Sequence, residues 1–320
     1  MPTNNIVLEG VSLKEPTKSQ KTVRQHFVPN SFQKNFALHA KNCMILEFEA
    51  DNNSFEYRTY LKKTSKNFFI ENFYETNFTD MDGLEDELTL AYQNMTEVML
   101  SKFESDWAVI VRRLLKNVDY DAKRKTKKTS HEISQYDMES LIALITNIYF
   151  RNPHRFHNLK SDSERVKAYF NILGMQSLFS IGTKCTRDLE NMKSNQIIDV
   201  WNSKMDYVIN MASKNLTTFN INIAHKDSIG FVLPEDPAMF HETNKYILGS
   251  LPISPKVQIQ FYIDKTRKPN PSGIIAKQHY LTKGTTKIQL KNHSLFGGDR
   301  VIVQNDNHAK QIVNIMHKFV

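Results

Sequence analysis

One histidine near the start of the chain has the setting of a chemically active group. His26 stands in the patterned segment Arg24 to Phe36, which reads Arg-Gln-His-Phe-Val-Pro-Asn-Ser-Phe-Gln-Lys-Asn-Phe. Pro29 fits the first position of a short helix, where a missing N–H costs nothing, so His26 is expected in extended chain just before that helix. An imidazole beside free helix N–H groups can serve as a general base, or as a ligand of a metal or a phosphate. The alternative is a structural histidine that hydrogen-bonds a loop.

A run of positive charge in the middle of the chain is the second segment with a chemical use. The chain carries a net charge of +8 and has an isoelectric point near 9.2, which favours acidic partners such as nucleic acid. A charge run of this kind also suits a solvated loop. The candidate nucleic-acid-binding residues are Lys123, Arg124, Lys125, Lys127 and Lys128.

Composition excludes several classes of protein. Two cysteines, Cys43 and Cys185, make neither a disulfide framework nor a thiolate zinc cage, and we expect both to be reduced, partly buried thiols. No Gly-rich phosphate loop, zinc-protease His-Glu-x-x-His or nucleophile elbow occurs. No apolar run is long enough to cross a bilayer, and the polar N-terminus lacks an apolar signal region. These features predict a cytoplasmic protein without a membrane partner.

The order of elements predicts an α+β fold. Residues 1–23 are polar and unpatterned, which is typical of a disordered tail. Residues 44–49 and 55–60 read as two strands of a hairpin around the turn at Asp51-Asn52-Asn53. Helical periodicity then runs, with breaks, over residues 84–215.

Strand patterns return in the last third of the chain. Residues 231–233, 256–263 and 287–290 read as strands, and Asn305 or Asp306 is placed to cap a terminal helix. The simplest arrangement is a single α+β domain over residues 24–320. In it the N-terminal hairpin and the C-terminal strands meet in one sheet, and residues 84–215 form a large helical insertion.

The opening segment resembles the start of a bacterial family, domain of unknown function 4238. That family begins with His-x-x-Pro-x-x-(Tyr/Phe)-Leu-x-x-Phe, and the chain matches it from His26 to Phe36 except that Gln33 replaces the usual Leu. Weaker similarities follow in the family's order, and the resemblance covers most of residues 24–320. They are Asn72-Phe73-Tyr74, Arg151-Asn152-Pro153, Leu233 to Pro237 and Ser250 to Pro255. The resemblance implies one domain and no settled activity.

The polar positions within these similar motifs form the candidate catalytic set. They are His26, Arg151, Glu235 and Asp236. Acidic groups can hold a divalent metal, an arginine can hold a phosphate, and a histidine can activate water. The structural alternative is that Arg151 caps its helix, that the acids form a turn, and that His26 anchors a loop.

Two classes of function fit these residues. One is a nucleic-acid-acting hydrolase, nuclease-like and of the phage-defence type, with a divalent metal as a conceivable cofactor. The segment from Arg151 to His157 also resembles the Arg-polar-His motif of small helical ribonucleases, although Pro153 interrupts it. The other class is a non-catalytic protein-binding or scaffold module. The sequence leaves open the substrate, the oligomeric state and whether the protein is an enzyme.

Overall fold

The structure, a computed structural model, describes ten parts of the chain. They are residues 24–38, 41–51, 54–71, 95–118, 133–150, 152, 206–228, 230–267, 273–285 and 299–316. The expected tail 1–23, the basic run 123–128, Arg151, and the expected strand 287–290 lie outside the described residues. So does residue 84, at which the helical insertion was expected to begin.

The described elements are helices and strands in the order expected of an α+β fold. The helices are α1 (Asn30–Asn35), α2 (Met95–Asn117), α3 (Gln135–Phe150), α4 (206–214) and α5 (Asp306–Met316). The strands are β1 (Arg24–His26), β2 (Asn42–Asp51), β3 (Ser54–Lys63), β4 (Phe69–Glu71), β5 (Leu216–Ile223), β6 (Leu233–Pro234), β7 (Met239–Glu242), β8 (Tyr246–Ser254), β9 (Val257–Asp264), β10 (Ile274–Tyr280) and β11 (Arg300–Val303).

The N-terminal hairpin and a C-terminal strand share one sheet, as predicted. Its four strands lie in the order β3-β2-β11-β6, and every neighbouring pair is antiparallel. The pairing of β2 with β3 runs to Asp51 and Ser54, beside the positions where turn residues were expected. Pro234 lies on the outer strand β6, where a missing N–H is tolerated.

The other C-terminal strands form a second sheet that the sequence analysis did not separate from the first. Its order is β10-β5-β9-β8-β7, and only the β10–β5 pair is parallel. Strand β5 begins at Leu216, directly after the expected end of the helical block at residue 215. The Thr and Asn residues of β5 weaken its apolar sequence pattern. Thr217 and Asn222 are nevertheless buried, because hydrogen bonds satisfy their polar atoms.

Helix α3 is the central helix, as its nearly all-round apolar sequence predicted. The Ser134 hydroxyl accepts a hydrogen bond from the Asp137 N–H at 3.1 Å and so caps the helix. The side chains from Leu141 to Ile148 are all buried, and the helix ends at Phe150, before Pro153. Helix α3 packs against β7, β8 and β10 of the five-stranded sheet. Trp107 of α2 joins the same core, as expected.

The four-stranded sheet is covered on both faces. Side chains alternate between faces along a strand, so neighbouring positions face different layers. One face, with Leu46, Val301 and Val303, packs against α5. The other face carries Ile45 and Ile302 and packs against the segment that follows His26. None of the helices within the described ranges has the length and apolar character needed to cross a membrane.

Candidate functional site

The segment after His26 packs on one face of the four-stranded sheet. Strand β1 pairs antiparallel with β4, so that His26 lies opposite Phe69. Phe27 and Val28 then enter the core formed by Ile45 and Ile302. The segment's apolar positions therefore support the fold, and their burial fixes where the His26 backbone lies.

His26 itself is half-buried at the end of β1. Its ring lies 5.9 Å from the Phe69 ring, tilted by 56°. Helix α1 starts at Asn30 with Pro29 at its N-cap position, one residue from the expected start. The geometry of His26 is therefore the predicted one, an imidazole in extended chain before a short helix.

Helix α1 contributes side chains to two hydrophobic clusters, one under α3 and one on the four-stranded sheet. Phe32 packs in the core under α3, whereas Phe36, one turn later, packs on the four-stranded sheet. The Asn35 side-chain amide donates to the Ile253 carbonyl of β8 at 3.1 Å. The two aromatic residues that the sequence placed on one helical face thus serve different layers, and α1 bridges them.

Gln33, which stands where the family usually has Leu, makes two buried hydrogen bonds. Gln33 is fully buried, and its amide donates to the carbonyls of Val28, at 2.9 Å, and Asn67, at 3.0 Å. These two bonds attach the His26 segment to the chain just before β4. Asn67 is also fully buried, and its own side-chain amide has no hydrogen-bonding partner within the described structure.

Phe68 holds a strained backbone at the centre of this region. Its φ of 50° is left-handed, which a bulky side chain rarely adopts and which costs on the order of 1–3 kcal/mol. The surrounding contacts enforce it. Its carbonyl accepts from the Phe27 N–H at 3.1 Å, and its fully buried ring lies 5.7 Å from the guanidinium carbon of Arg300. Arg300 therefore stacks over the residue that links β4 to the His26 segment.

Four charged residues of alternating sign cross the four-stranded sheet in one row. Arg58 of β3 lies opposite Glu47 of β2, and Glu47 lies opposite Arg300 of β11. Glu235 follows β6 directly, and its N–H donates to the Arg300 carbonyl at 2.9 Å. We call Arg58, Glu47, Arg300 and Glu235 the charged row. By strand alternation it lies on the same face as Ile45 and Ile302.

The inner pair of the charged row is a two-pronged ion pair. The Arg300 guanidinium donates from Nη2 to Glu235 Oε1 and from Nε to Glu235 Oε2, the latter at 3.4 Å. Burial lowers the pKa of Arg300, but the hydrogen bond and charge of Glu235 outweigh it, so the pKa lies above its ordinary value. Glu235 is largely buried. The Arg300 guanidinium therefore keeps its charge beside this largely buried side chain.

The outer pair of the row is more exposed. Arg58 Nη2 lies 2.7 Å from Glu47 Oε2, and the Arg58 side chain is 63% exposed. Beside it, burial raises the pKa of the Tyr60 hydroxyl, with the charge and hydrogen bond of Glu47 acting in the same direction. Tyr60 is therefore a neutral hydrogen-bond donor at physiological pH. The outer pair is thus less shielded from water than the inner pair.

Two of the four predicted site segments lie next to each other in space. The side-chain amide of Asn152 donates to the Glu235 carbonyl at 3.3 Å. Asn152 is the described neighbour of Arg151 in the Arg151-Asn152-Pro153 motif, and Arg151 itself lies outside the described residues. Asp236 is half-buried and follows Glu235. A series of contacts through Arg300 and Phe68 connects these residues to the strand that carries His26.

A metal centre has no preformed ligand set in the described structure. Among the described residues, no group of three or more His, Cys, Asp or Glu side chains is placed to hold an ion. The Glu235 carboxylate already binds the Arg300 guanidinium. The carboxylate that the sequence offered as a metal ligand is therefore compensated by a neighbouring cation.

Sequence reasoning missed the residue at the centre of this site. Arg300 opens a short apolar strand after Gly297-Gly298-Asp299, which reads as a simple turn. A charged residue at the start of a buried strand was the available signal. Its partners, Glu47 and Glu235, lie 253 and 65 residues earlier in the chain, and only strand register brings them together.

Comparison with known proteins identifies one family and no characterised relative. No curated protein and no solved structure matches the chain. The family model described as "Protein of unknown function (DUF4238)" matches residues 24–315. The match spans His26, Asn152, Glu235, Asp236 and Arg300. The chain therefore belongs to the DUF4238 family.

Proposed function

We propose that the protein is a nucleic-acid-acting hydrolase of the nuclease type, with its site around His26, Arg151, Glu235 and Asp236. In this proposal His26 is the general base that activates water. Arg151 and Arg300 bind the phosphate, and the basic residues Lys123, Arg124, Lys125, Lys127 and Lys128 attract the nucleic acid.

One observation carries this proposal, the meeting of distant motif segments at Arg300. Glu235 pairs with Arg300, and Arg300 stacks on Phe68. The Phe68 carbonyl binds the chain immediately after His26, and Asn152 binds the carbonyl of Glu235. Five segments spread over residues 26–300 thus join through direct contacts. A site for a large anionic substrate needs this combination of a base and fixed cations.

Arg300 has the properties of a phosphate-binding group. Its pKa lies above the ordinary value, so it stays protonated at every working pH. Its guanidinium is preorganised by Phe68 and by Glu235, which keeps the planar donor fork in one orientation. A phosphate that approaches it would compete with Glu235. The freed carboxylate, with Asp236, would then be the place where a divalent metal could bind.

The test is a cleavage assay with matched control variants. Purified full-length protein is incubated with labelled single- and double-stranded DNA and RNA, in EDTA and with Mg²⁺ or Mn²⁺. We expect cleavage that falls by about 100-fold or more in His26→Ala and in Asp236→Asn. His279→Ala and Asp227→Asn remove an exposed histidine and an exposed acid elsewhere, and should leave the rate unchanged. Equal rates in all four variants, or no cleavage by the wild type, would overturn the proposal.

A second candidate function, a non-catalytic protein-binding or scaffold module, rests on the state of Glu235. Its carboxylate is compensated by Arg300, and the residues after His26 are core residues. This candidate predicts that His26→Ala lowers thermal stability and that neither the wild type nor the variant cleaves nucleic acid. An unchanged melting temperature in His26→Ala, together with lost cleavage, would decide for the hydrolase.

A defence role of the hydrolase can be tested in cells. Bacteria that express the wild-type chain should plate a panel of phages less efficiently than bacteria that express His26→Ala. The His279→Ala variant should protect as well as the wild type. Protection that is equal in all three strains would separate any defence effect from the proposed site.

A further inference from the structure

Strand β3 is a long, regular strand at the edge of the four-stranded sheet. It pairs with β2 at ten consecutive positions without a bulge, and among the described strands it has no neighbour on its other side. Natural edge strands are usually short, bulged or covered, because an open edge offers hydrogen-bonding groups to another chain. This edge has neither a bulge nor a proline.

The direction of its free backbone groups follows from two hydrogen bonds of the hairpin. The Thr64 N–H donates to the Lys41 carbonyl at 2.9 Å, which makes that position a hydrogen-bonded pair. The Phe48 N–H instead donates to Asp299, at 2.8 Å, on the side of β11. Hydrogen-bonded pairs alternate along an antiparallel ladder, so the N–H and C=O groups of Tyr57, Thr59 and Leu61 point away from β2.

The same three residues share one face, and two of them are exposed apolar side chains. Tyr57 is 45% exposed and Leu61 is 65% exposed, with Thr59 between them. They lie opposite Phe48, Leu46 and Met44 of β2, on the face that α5 covers. An added strand would therefore extend both the sheet and its apolar layer.

We propose that β3 pairs antiparallel with β3 of a second copy of this chain, with Thr59 opposite Thr59 of the partner subunit. In this register Tyr57 lies opposite Leu61 of the partner subunit, so each exposed apolar side chain covers the other. Glu56 lies opposite Lys62 of the partner subunit, so opposite charges meet. The two-fold axis through Thr59 repeats both contacts.

The neighbouring registers lose these contacts. A pairing centred on Tyr57 places Leu61 opposite the hairpin turn, and one centred on Leu61 places Tyr57 beyond the end of β3. A pairing centred on Arg58 places Arg58 opposite Arg58 of the partner subunit, and one centred on Tyr60 places Arg58 opposite Lys62 of the partner subunit, so like charges meet in both. The strand is thus complementary to itself in one register. A single strand pair is a small interface, so we expect a reversible dimer with a dissociation constant on the order of micromolar.

A charge-swap series tests the dimer and its register. Sedimentation velocity over a concentration series should show a monomer–dimer equilibrium for the wild type. Glu56→Lys and Lys62→Glu each create like-charge pairs and should raise the dissociation constant by about tenfold or more. The double variant restores the pairs and should recover most of the wild-type affinity. Lys277→Glu, an exposed charge on the outer strand β10, should have no effect.

Three outcomes would overturn the proposal. One is a wild type that stays monomeric at every concentration, as expected if the edge takes a strand of a different protein. Another is a double variant as weak as the single ones. The third is a dimer that only Lys277→Glu weakens, which would place the interface at β10.

Cross-linking checks the axis of the pairing independently. In a Cys185→Ser background, Thr59→Cys places two thiols about 5.5 Å apart by Cα distance, whereas Lys63→Cys places them about 27 Å apart. The native Cys43 thiol does not interfere because it is buried and its pKa is about 11. A short bis-maleimide should join Thr59→Cys subunits and not Lys63→Cys subunits. The reverse pattern would overturn the register. The dimer does not depend on the proposed hydrolase.

Discussion

The two larger sheets of this protein use their faces in different ways. The five-stranded sheet presents an apolar face to α3, and the resulting core contains Ile145, Phe219 and Phe261. The four-stranded sheet is covered by α5 on one face and by the His26 segment on the other, and it carries the charged row. The first sheet gains its stability from close packing. The second combines packing with buried charge, a strained Phe68 backbone and unsatisfied amide groups, which are features that cluster at functional sites.

The comparison teaches where this fold tolerates polar groups. In the five-stranded sheet, buried polar side chains bond one another across strands, as Asn222 does with Gln258 at 3.1 Å. In the four-stranded sheet, the two residues of the inner ion pair also contact other segments. Asn152 donates to the Glu235 carbonyl, and Arg300 stacks over Phe68. We therefore expect substitutions in the first sheet to change stability alone, and substitutions in the second to change stability, pH response and function.

Gly249→Val should give the largest loss of stability. An added Cβ would lie 2.3 Å from Phe261 Cε1 and 3.1 Å from Ile145 Cγ2, and neither buried side chain has room to move. We expect a loss of about 3 kcal/mol or more in the free energy of unfolding, measured by chemical denaturation. Gly284→Ala is the matched control, since its nearest contact is 3.9 Å away. A loss below about 0.5 kcal/mol would mean that the core under α3 is not closely packed.

Acid should destabilise the α5 side of the four-stranded sheet through His308. Burial lowers the pKa of this 3% exposed histidine from 6.5 to about 4. Below pH 6.5 the unfolded chain binds a proton that the folded chain refuses. The stability is therefore fully present above pH 6.5 and falls as the pH drops toward 4. The loss attributable to His308 should reach roughly 3 kcal/mol.

The variant His308→Asn isolates this contribution. The Asn side-chain oxygen can replace Nδ1 as the acceptor of the Gln304 N–H, a bond of 3.1 Å in the structure. Unfolding curves at pH 7, 6, 5 and 4 should fall less steeply in this variant than in the wild type. His279→Asn, on the outer strand of the other sheet, should leave the slope unchanged. Parallel slopes for the wild type and His308→Asn would contradict the assigned pKa.

The inner ion pair should show a measurable coupling energy. A double-mutant cycle with Arg300→Met and Glu235→Gln removes each charge separately and then both together. We expect a coupling of about 2 kcal/mol, smaller than for a fully buried pair because the Arg300 side chain is 26% exposed. A coupling indistinguishable from zero would mean that the pair is held by its backbone contacts and not by charge.

The outer pair of the same row should contribute least. The corresponding cycle with Arg58→Met and Glu47→Gln should give about 0.5 kcal/mol or less, because the Arg58 side chain is 63% exposed. The difference between the two cycles measures how strongly burial changes an ion pair within one row. Added salt should weaken the outer coupling more than the inner one. An outer coupling as large as the inner one would contradict the expectation that the more exposed pair contributes less.

Local patterns predicted the local structure well. The β2–β3 hairpin pairing and the Asn305 cap, which accepts the His308 N–H at 2.9 Å, are found as predicted. The Ser134 cap and the buried apolar helix α3 also fit their residue types. The strands β4, β5, β7, β8 and β10 were missed. Polar residues and a glycine dilute the apolar alternation of β5, β8 and β10. These segments form strands because neighbouring strands pair with their backbone groups.

The candidate site was predictable in part. The motifs identified His26, Arg151, Glu235 and Asp236 as the candidate set, and the family match over residues 24–315 agrees with the resemblance that suggested them. The catalytic roles, the metal, the basic surface at 123–128 and the single-domain boundary remain predictions. Arg300 was not identified, because its importance depends on the register of β11 with β2 and β6.

By itself, the sequence determined the family, the α+β class, and the short-range features that depend on residues a turn or less apart. Caps, turns and amphipathic faces are local, so their physical causes can be read within a few neighbouring residues. The tertiary structure alone decided that the described strands form three sheets. It also decided that Glu235 pairs with Arg300 and that Tyr57, Thr59 and Leu61 lie on an open edge. These outcomes depend on strand register, which is set by contacts between residues distant in the chain.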